Sequence, residues 1–215
     1  MFKIYGEVFI KNLKIFLFPA SFAVILLMVI LFAISDLRNR GGEIAAIFCQ
    51  QFFSWAGIFL LSPVFMPEKR DNIEETVLSK ALPIKIVYII RLAGALFALI
   101  IFTAVFIFLL SLLGNELEFG RYFVHTLATA LFLGSLAFAG TRFSGNVGVG
   151  YLIAFGVYIM QMFLPSMQIN KIENFYIFTL LGEVNNVIYI YMCAFILILI
   201  SFSKSTFPKI PTVTK

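Results

Sequence analysis

The chain has 215 residues, of which 61% are hydrophobic and 13% are charged, whereas soluble domains have roughly 45–50% apolar and about 25% charged residues. A chain this apolar cannot cover itself with polar surface in water, so its composition excludes a soluble globular protein and predicts one integral membrane domain over residues 1–215. The net charge of +5 comes from dispersed basic residues, which argues against a nucleic-acid-binding surface and makes the charge a topology signal.

Residues 1–14 are predicted to form an amphipathic helix that lies in the lipid headgroup layer. Charged side chains recur at helical spacing on one side of this segment, and apolar side chains fall on the other. The charged residues are Lys3, Glu7, Lys11 and Lys14. The alternative interpretation is a frayed cytoplasmic end.

Six apolar segments are long enough to cross a hydrocarbon core of about 30 Å, which takes about 20 helical residues. Lipid offers no partners to backbone groups and the segments lack the alternation of barrel strands, so each is predicted to be an α-helix. They cover about residues 15–35, 44–65, 86–113, 122–140, 147–165 and 184–203. The predicted fold class is an all-α integral membrane protein with six transmembrane helices.

The distribution of lysine and arginine predicts the orientation of these spans. If the N-terminus is cytoplasmic, 12 basic residues lie on the cytoplasmic side and four lie outside. This bias satisfies the positive-inside rule, so both termini are predicted to be cytoplasmic. Residues 66–85 then face the cytoplasm, between the second and third spans.

Charge is concentrated in residues 66–83, which carry seven charged side chains. From Asn72 the sequence has helical period; Asn72 is a suitable N-cap, and Pro83 ends the helix. The segment predicts a short amphipathic cytoplasmic helix that either covers the base of the bundle or docks a soluble partner. The residues predicted to make the docking contact are Asp71, Ile73, Glu74, Glu75, Val77, Leu78, Lys80 and Leu82.

A glycine-rich stretch, residues 140–150, lies between the fourth and fifth spans. Residues 140–147 have the glycine spacing of a phosphate-binding loop but lack the following Lys and Ser/Thr that contact the phosphates and the magnesium ion. No ATP site is therefore expected in this chain. The glycines are predicted to make a tight turn and to let the fourth and fifth spans pack closely.

No pattern predicts an enzyme, a resident cofactor or a metal site. His125, the only histidine, is predicted to have an interfacial or packing role near the outer start of the fourth span. Cys49 and Cys193 lie inside apolar runs, which predicts buried thiols and no disulfide framework.

Polar side chains within the spans should face the bundle or a cavity, because exposing them to lipid is costly. Gln50, Gln51 and Ser54 lie in the outer half of the second span, and Gln161 lies in the outer half of the fifth. Two interpretations stay open: these side chains line a substrate pathway, or they form hydrogen bonds with neighbouring helices.

Residues 166–183 lie outside in the predicted topology. Their apolar part, residues 175–181, is too short to cross the membrane. It predicts either an ordinary loop or a hairpin that dips into the outer leaflet. A hairpin with non-helical backbone would have to be shielded by protein.

Residues 66–91 resemble the segment that follows the second span in permease subunits of ABC-2 type transporters. The six spans and the amphipathic N-terminal helix are similar as well, whereas Ala81 before Leu82-Pro83 departs from the family pattern. The matching positions are Glu74/Glu75, Val77-Leu78-Ser79, Pro83-Ile84-Lys85 and Arg91.

The resemblance implies a transport function and a set of partners. Residues 72–82 would be a coupling helix that docks onto a separate ATP-binding cassette subunit, which would bind ATP and Mg²⁺. A second permease copy or a paralogue would complete a pathway lined by the second and fifth spans, and residues 175–181 would form a re-entrant outer segment. The expected setting is a bacterial plasma membrane, with export of a hydrophobic or amphipathic peptide, antibiotic or lipid.

Two alternatives to this function stay open. One is a substrate-binding six-helix subunit of another transporter type, which would not need the charged helix. The other is a membrane-embedded lipid-modifying enzyme, which would need an acidic, histidine or cysteine constellation at the interface.

Overall fold

The computed structural model describes residues 17–34, 42–65, 84–115, 117–163, 177–180 and 187–203. These residues are helical with short connections and contain no β-strand, which confirms the predicted all-α class. The predicted interfacial helix (1–14) and the predicted cytoplasmic helix (72–82) lie outside the described residues.

Seven α-helices are described, at or near the apolar segments of the sequence. They are α1 (Phe18–Ile34), α2 (Gly42–Ile47), α3 (Trp55–Leu61), α4 (Ile84–Leu112), α5 (Phe119–Ser144), α6 (Val147–Phe163) and α7 (Val187–Ser203). A π-helical turn, Phe48–Phe52, joins α2 to α3, and a 3₁₀ turn, Ser62–Phe65, follows α3. We refer to residues 42–65 as the composite helix, because they form one rod from four short pieces.

Three of the described helices are long and apolar enough to cross a membrane: Ile44–Phe65, Ile86–Leu112 and Phe119–Ser144. Three shorter apolar helices accompany them, Phe18–Ala33, Val147–Phe163 and Val187–Ser203. By length and composition the chain is a multi-pass membrane protein.

Helix α5 lies at the centre of the bundle and separates two apolar cores. One core joins α5 to α1, the composite helix and α4. The other joins α5 to α6, α7 and residues 177–178, with Ile58 contributed by α3. Because α5 is in contact on several sides, its buried positions are mostly small: alanine, glycine, serine and threonine make up most of them.

The backbones of α3 and α5 touch at a point where neither helix has room for a side chain. A Cβ atom built on Gly57 would lie 1.8 Å from the carbonyl oxygen of Ala130, and one built on Gly134 would lie 2.7 Å from that of Gly57. Small residues at such crossings let membrane helices gain dispersion contacts and approach closely. This contact fixes the position of α3 against α5.

A second close contact joins α5 to α6, as the glycine spacing predicts. A Cβ atom on Gly150 would lie 2.5 Å from the carbonyl oxygen of Ala137. The turn between these helices is tight because Gly145 adopts a left-handed conformation, with φ of 69°, and its N–H donates to the Thr141 carbonyl at 2.8 Å. The expected turn and close packing are both confirmed.

Aromatic and arginine side chains define one end of the bundle, which we call the Phe65 end. The Phe65 ring lies 4.8 Å from that of Tyr88 on α4 and 4.6 Å from that of Phe138 on α5, between ring centroids. The guanidinium carbon of Arg142 lies 5.0 Å from the Phe65 ring centroid. Arg91, which is buried, donates to the carbonyl oxygen of Val64 at 3.4 Å.

The opposite end of the bundle, which we call the Gln50 end, is defined by hydrogen bonds. Tyr122 at the start of α5 donates its hydroxyl to the carbonyl of Gly42 at 2.8 Å. Tyr191 near the start of α7 donates to the carbonyl of Val124 at 2.8 Å. Since the composite helix begins at this end and finishes at the Phe65 end, α5 and α7 run parallel to it.

The two cysteines differ in their surroundings. Cys49 is buried in the π-helical turn, as predicted, whereas Cys193 is exposed on the outward face of α7. The prediction of a buried Cys193 was therefore wrong. The reason is that α7 is apolar on all sides, so an apolar neighbourhood in the sequence does not show which side faces the bundle.

Substituting Gly57 by alanine should destabilise the bundle, because the new methyl group would overlap the Ala130 carbonyl. We expect a loss at or above the upper end of the about 1–3 kcal/mol that overpacking usually costs. Thermal unfolding of the purified protein in one detergent measures it. The matched control is Gly94→Ala on α4, where no atom lies within 4 Å of the new methyl group. Equal melting temperatures for the two variants would contradict the contact.

Candidate functional site

The polar residues predicted within the spans lie at the Gln50 end of the bundle. Gln50 and Ser54 are fully buried and Gln161 is 7% exposed, whereas Gln51 is only half-buried. Gln50 and Gln161 both bind residues 177–180, which we call the strap. Ser54 does not take part, because its hydroxyl donates to the Gln51 carbonyl of its own helix at 3.1 Å.

Gln50 makes contacts with both its amide nitrogen and its amide oxygen. Its Nε2 lies 3.2 Å from Thr179 Oγ1 and 3.4 Å from Thr129 Oγ1. The same nitrogen lies 3.4 Å from the His125 carbonyl, at the outer limit of a hydrogen bond. Its Oε1 accepts from the backbone N–H of Leu180 at 2.7 Å. The side chain of Gln50 therefore connects the composite helix to α5 and to both Thr179 and Leu180 of the strap.

His125 and Thr179 form the shortest of these contacts, with Nδ1 and Oγ1 2.6 Å apart. Thr179 Oγ1 accepts from Gln50, so its own proton is available to the imidazole. On this assignment Nδ1 of His125 accepts and the ring proton lies on Nε2. The interaction agrees with the packing role that the sequence predicts for His125.

The strap has non-helical backbone, and side chains satisfy its polar groups. The N–H of Ile177 donates to Oε1 of Gln161 at 3.2 Å, and its carbonyl accepts from Thr129 Oγ1 at 3.0 Å. With the Leu180 N–H bound by Gln50, three backbone groups of the strap are paired with three different helical segments. Such pairing is needed because an unsatisfied backbone group at membrane depth costs several kcal/mol.

Apolar contacts bury the strap beneath this polar layer. Ile177, Phe178 and Thr179 are each at most 4% exposed. The Phe178 ring packs edge to face against Tyr158 of α6, with centroids 5.9 Å apart, and Tyr158 packs in the same way on Trp55 at 5.5 Å. The strap therefore fills a space between the composite helix, α5 and α6.

The π-helical turn determines where Gln50 points. Its defining bond runs from the N–H of Phe53 to the carbonyl of Phe48 at 2.9 Å, one residue further than in an α-helix. The extra residue directs Cys49 and Gln50 into the bundle and leaves Gln51 on its half-exposed side. π-Turns inside helices are frequent at functional sites.

The predicted site residues fall into two groups, the polar residues within the spans and the docking residues of the charged segment. The structure accounts for Gln50 and Gln161 by hydrogen bonds within the chain; the role of Gln50, Gln51, Ser54 and Gln161 in lining a pathway stays a prediction. The predicted docking residues between 71 and 82 lie outside the described residues. Sequence reasoning missed Thr129 and Thr179, and it missed the π-turn, because none of them has a local signal.

The polar cluster can clasp a segment, and its chemistry is that of neutral amides and hydroxyls. Within the described ranges no three His, Cys, Asp or Glu side chains are grouped so that they could hold a metal ion. The arrangement supports a structural role for Gln50 and its partners, which hold the strap to the bundle.

Replacing Gln50 by leucine should destabilise the protein by about 1–3 kcal/mol, because the buried N–H of Leu180 would lose its acceptor. Chemical or thermal unfolding in a fixed detergent measures the loss. The control is Gln51→Leu, since the side chain of Gln51 is half-buried and makes no hydrogen bond among the described residues. If both variants unfold at the same midpoint as the parent protein, Gln50 does not hold the strap.

Comparisons of this chain with models of known protein families, with curated proteins and with solved structures found no match.

Proposed function

We propose that the chain is the membrane-spanning permease subunit of an ABC-2 type transporter. Its six apolar helices cross the plasma membrane with both termini in the cytoplasm, and the strap belongs to a re-entrant outer segment. A separate ATP-binding cassette subunit supplies the energy, and a second copy or a paralogue completes the pathway. The cargo is hydrophobic or amphipathic: a peptide, an antibiotic or a lipid.

One observation carries this proposal: a highly charged segment with the family pattern, residues 66–83, connects two apolar helices whose ends are joined. Arg91 of α4 binds the Val64 carbonyl, and the Phe65 ring packs on Tyr88. Both ends of the segment therefore start from one place on the bundle. A force on the segment would reach the composite helix and α4 together.

The lengths of these two helices support a lever mechanism. Helix α4 is uninterrupted over 29 residues, or about 44 Å. The composite helix is broken into pieces of four to seven residues. Movement of a docked ATPase would be carried rigidly by α4, whereas the composite helix can change its internal winding.

Charge reversal of the predicted coupling helix tests the proposal. Glu74→Lys with Glu75→Lys should reduce recovery of a co-expressed ATP-binding cassette subunit at least about tenfold, because like charges at an interface cost several kcal/mol. The measurement is pull-down from membranes that contain equal amounts of permease. Glu118→Lys, at the start of α5, is the control and should leave recovery unchanged. Full recovery with the double variant would refute docking by this helix.

The orientation can be tested separately. A cysteine at Lys80 should react with a membrane-impermeant maleimide in inverted vesicles and stay unmodified in intact cells, because residues 66–85 are proposed to be cytoplasmic. A cysteine at Arg121, proposed to lie outside, is the control with the opposite pattern. Modification of the Lys80 position in intact cells would refute the topology and the docking role together.

A further inference from the structure

The strap is held to the bundle by side chains, and Gln50 holds the largest share. Among the described residues no backbone–backbone hydrogen bond reaches the strap. Gln161 and Thr129 bind Ile177 and His125 contacts Thr179, while Gln50 contacts both Thr179 and Leu180. Removing Gln50 from its position would free the C-terminal half of the strap from the composite helix.

The position of Gln50 depends on the winding of the π-turn. Loss of the one extra residue in this turn would rotate the preceding helix by about 100° relative to the following one. Helix α3 cannot follow that rotation, because Gly57 is in backbone contact with Ala130. The rotation would therefore fall on α2 and on Gln50.

Helix α2 can rotate at low cost. It has six residues, and among its described side chains the buried ones are those of Ala45 and Ala46. The rotation would turn these two methyl groups and the small side chain of Cys49 out of their contacts, and it would shift the half-buried Phe48 ring along the core. One described hydrogen bond opposes the rotation, from the Tyr122 hydroxyl to the Gly42 carbonyl.

We propose that the π-turn Phe48–Phe52 and the strap form a latch that opens and closes as one unit. In the closed form, which the structure describes, the π-turn presents Gln50 to Thr179 and Leu180. Rewinding of the turn to an α-helix withdraws Gln50 and releases the strap.

Opening of the latch would uncover polar groups that now bind the strap. Thr129, Gln161 and the His125 ring would lose their strap partners and become accessible between α5 and α6. This reconciles the burial of Gln161 with a role in lining a pathway, since Gln161 would line it only in the open form. The latch itself requires neither the ATPase nor the cargo of the proposed function.

A buried cysteine in the strap reports on the latch. In a Cys193→Ser background reconstituted in nanodiscs, where both faces meet solvent, Ile177→Cys keeps both backbone bonds and should react slowly with a water-soluble maleimide. Cys49 is buried, so the same background without Ile177→Cys gives the baseline. Topology and transport do not enter this measurement, so its failure is distinct from failure of the proposed function.

Two variants should open the latch and one should not. Deletion of Gln51 removes the extra residue of the π-turn, and Gln50→Leu removes the amide that binds the strap. Each change should raise the modification rate at least about tenfold. Gln51→Ala keeps the length of the turn and should leave the rate unchanged. A deletion variant that folds and reacts at the parental rate would overturn the proposal.

Hydrogen exchange of the unmodified protein decides the question if the deletion variant does not fold. The amides of Phe53, Ile177 and Leu180 should exchange in one cooperative step, and Gln50→Leu should accelerate all three. Exchange of the two strap amides at least about tenfold faster than that of Phe53 would mean that the strap opens without the turn, and would refute the latch.

Discussion

The backbone contact between Gly57 and Ala130 is the constraint on which the rest of the bundle depends. No side chain fits at this crossing, so α3 and α5 are fixed against each other at a single register. In lipid, where apolar side chains gain little from leaving the solvent, such close packing supplies the specificity of association. The residues before Trp55 in the composite helix are therefore positioned relative to a fixed α3. The π-turn lies directly before this fixed helix, and it brings Gln50 to the strap.

At the Gln50 end, side-chain amides and hydroxyls form hydrogen bonds with backbone groups that a helix or a sheet would pair elsewhere. They pair three backbone groups of a four-residue segment that has no regular structure of its own. This allows irregular backbone to sit among apolar helices, where it is tolerated only if protein surrounds it. The arrangement also concentrates the attachment in a few rotatable side chains, so a single change of helix winding can undo much of it.

The sequence allowed the helices and the glycine turn to be predicted, because apolar length and glycine spacing are local signals. It also indicated that Gln50 and Gln161 would need partners inside the bundle. It could not identify those partners: Thr179 is 129 residues from Gln50 along the chain, and only the tertiary packing brings them together. The π-turn was not predicted either, since its residues, Phe48–Phe52, carry no local signal for the extra residue. The outward direction of Cys193 was hidden because α7 is apolar all round.

Helix α4 is longer than a membrane crossing requires. From Leu92 to its end at Leu112, the helix already measures about 32 Å, enough to cross a hydrocarbon core of about 30 Å. Its first two turns, which finish at Arg91, extend beyond that length, and Phe65 packs beside them through its contact with Tyr88. The composite helix thus finishes beside surplus helical length in α4, where the two helix ends brace each other through an aromatic pair.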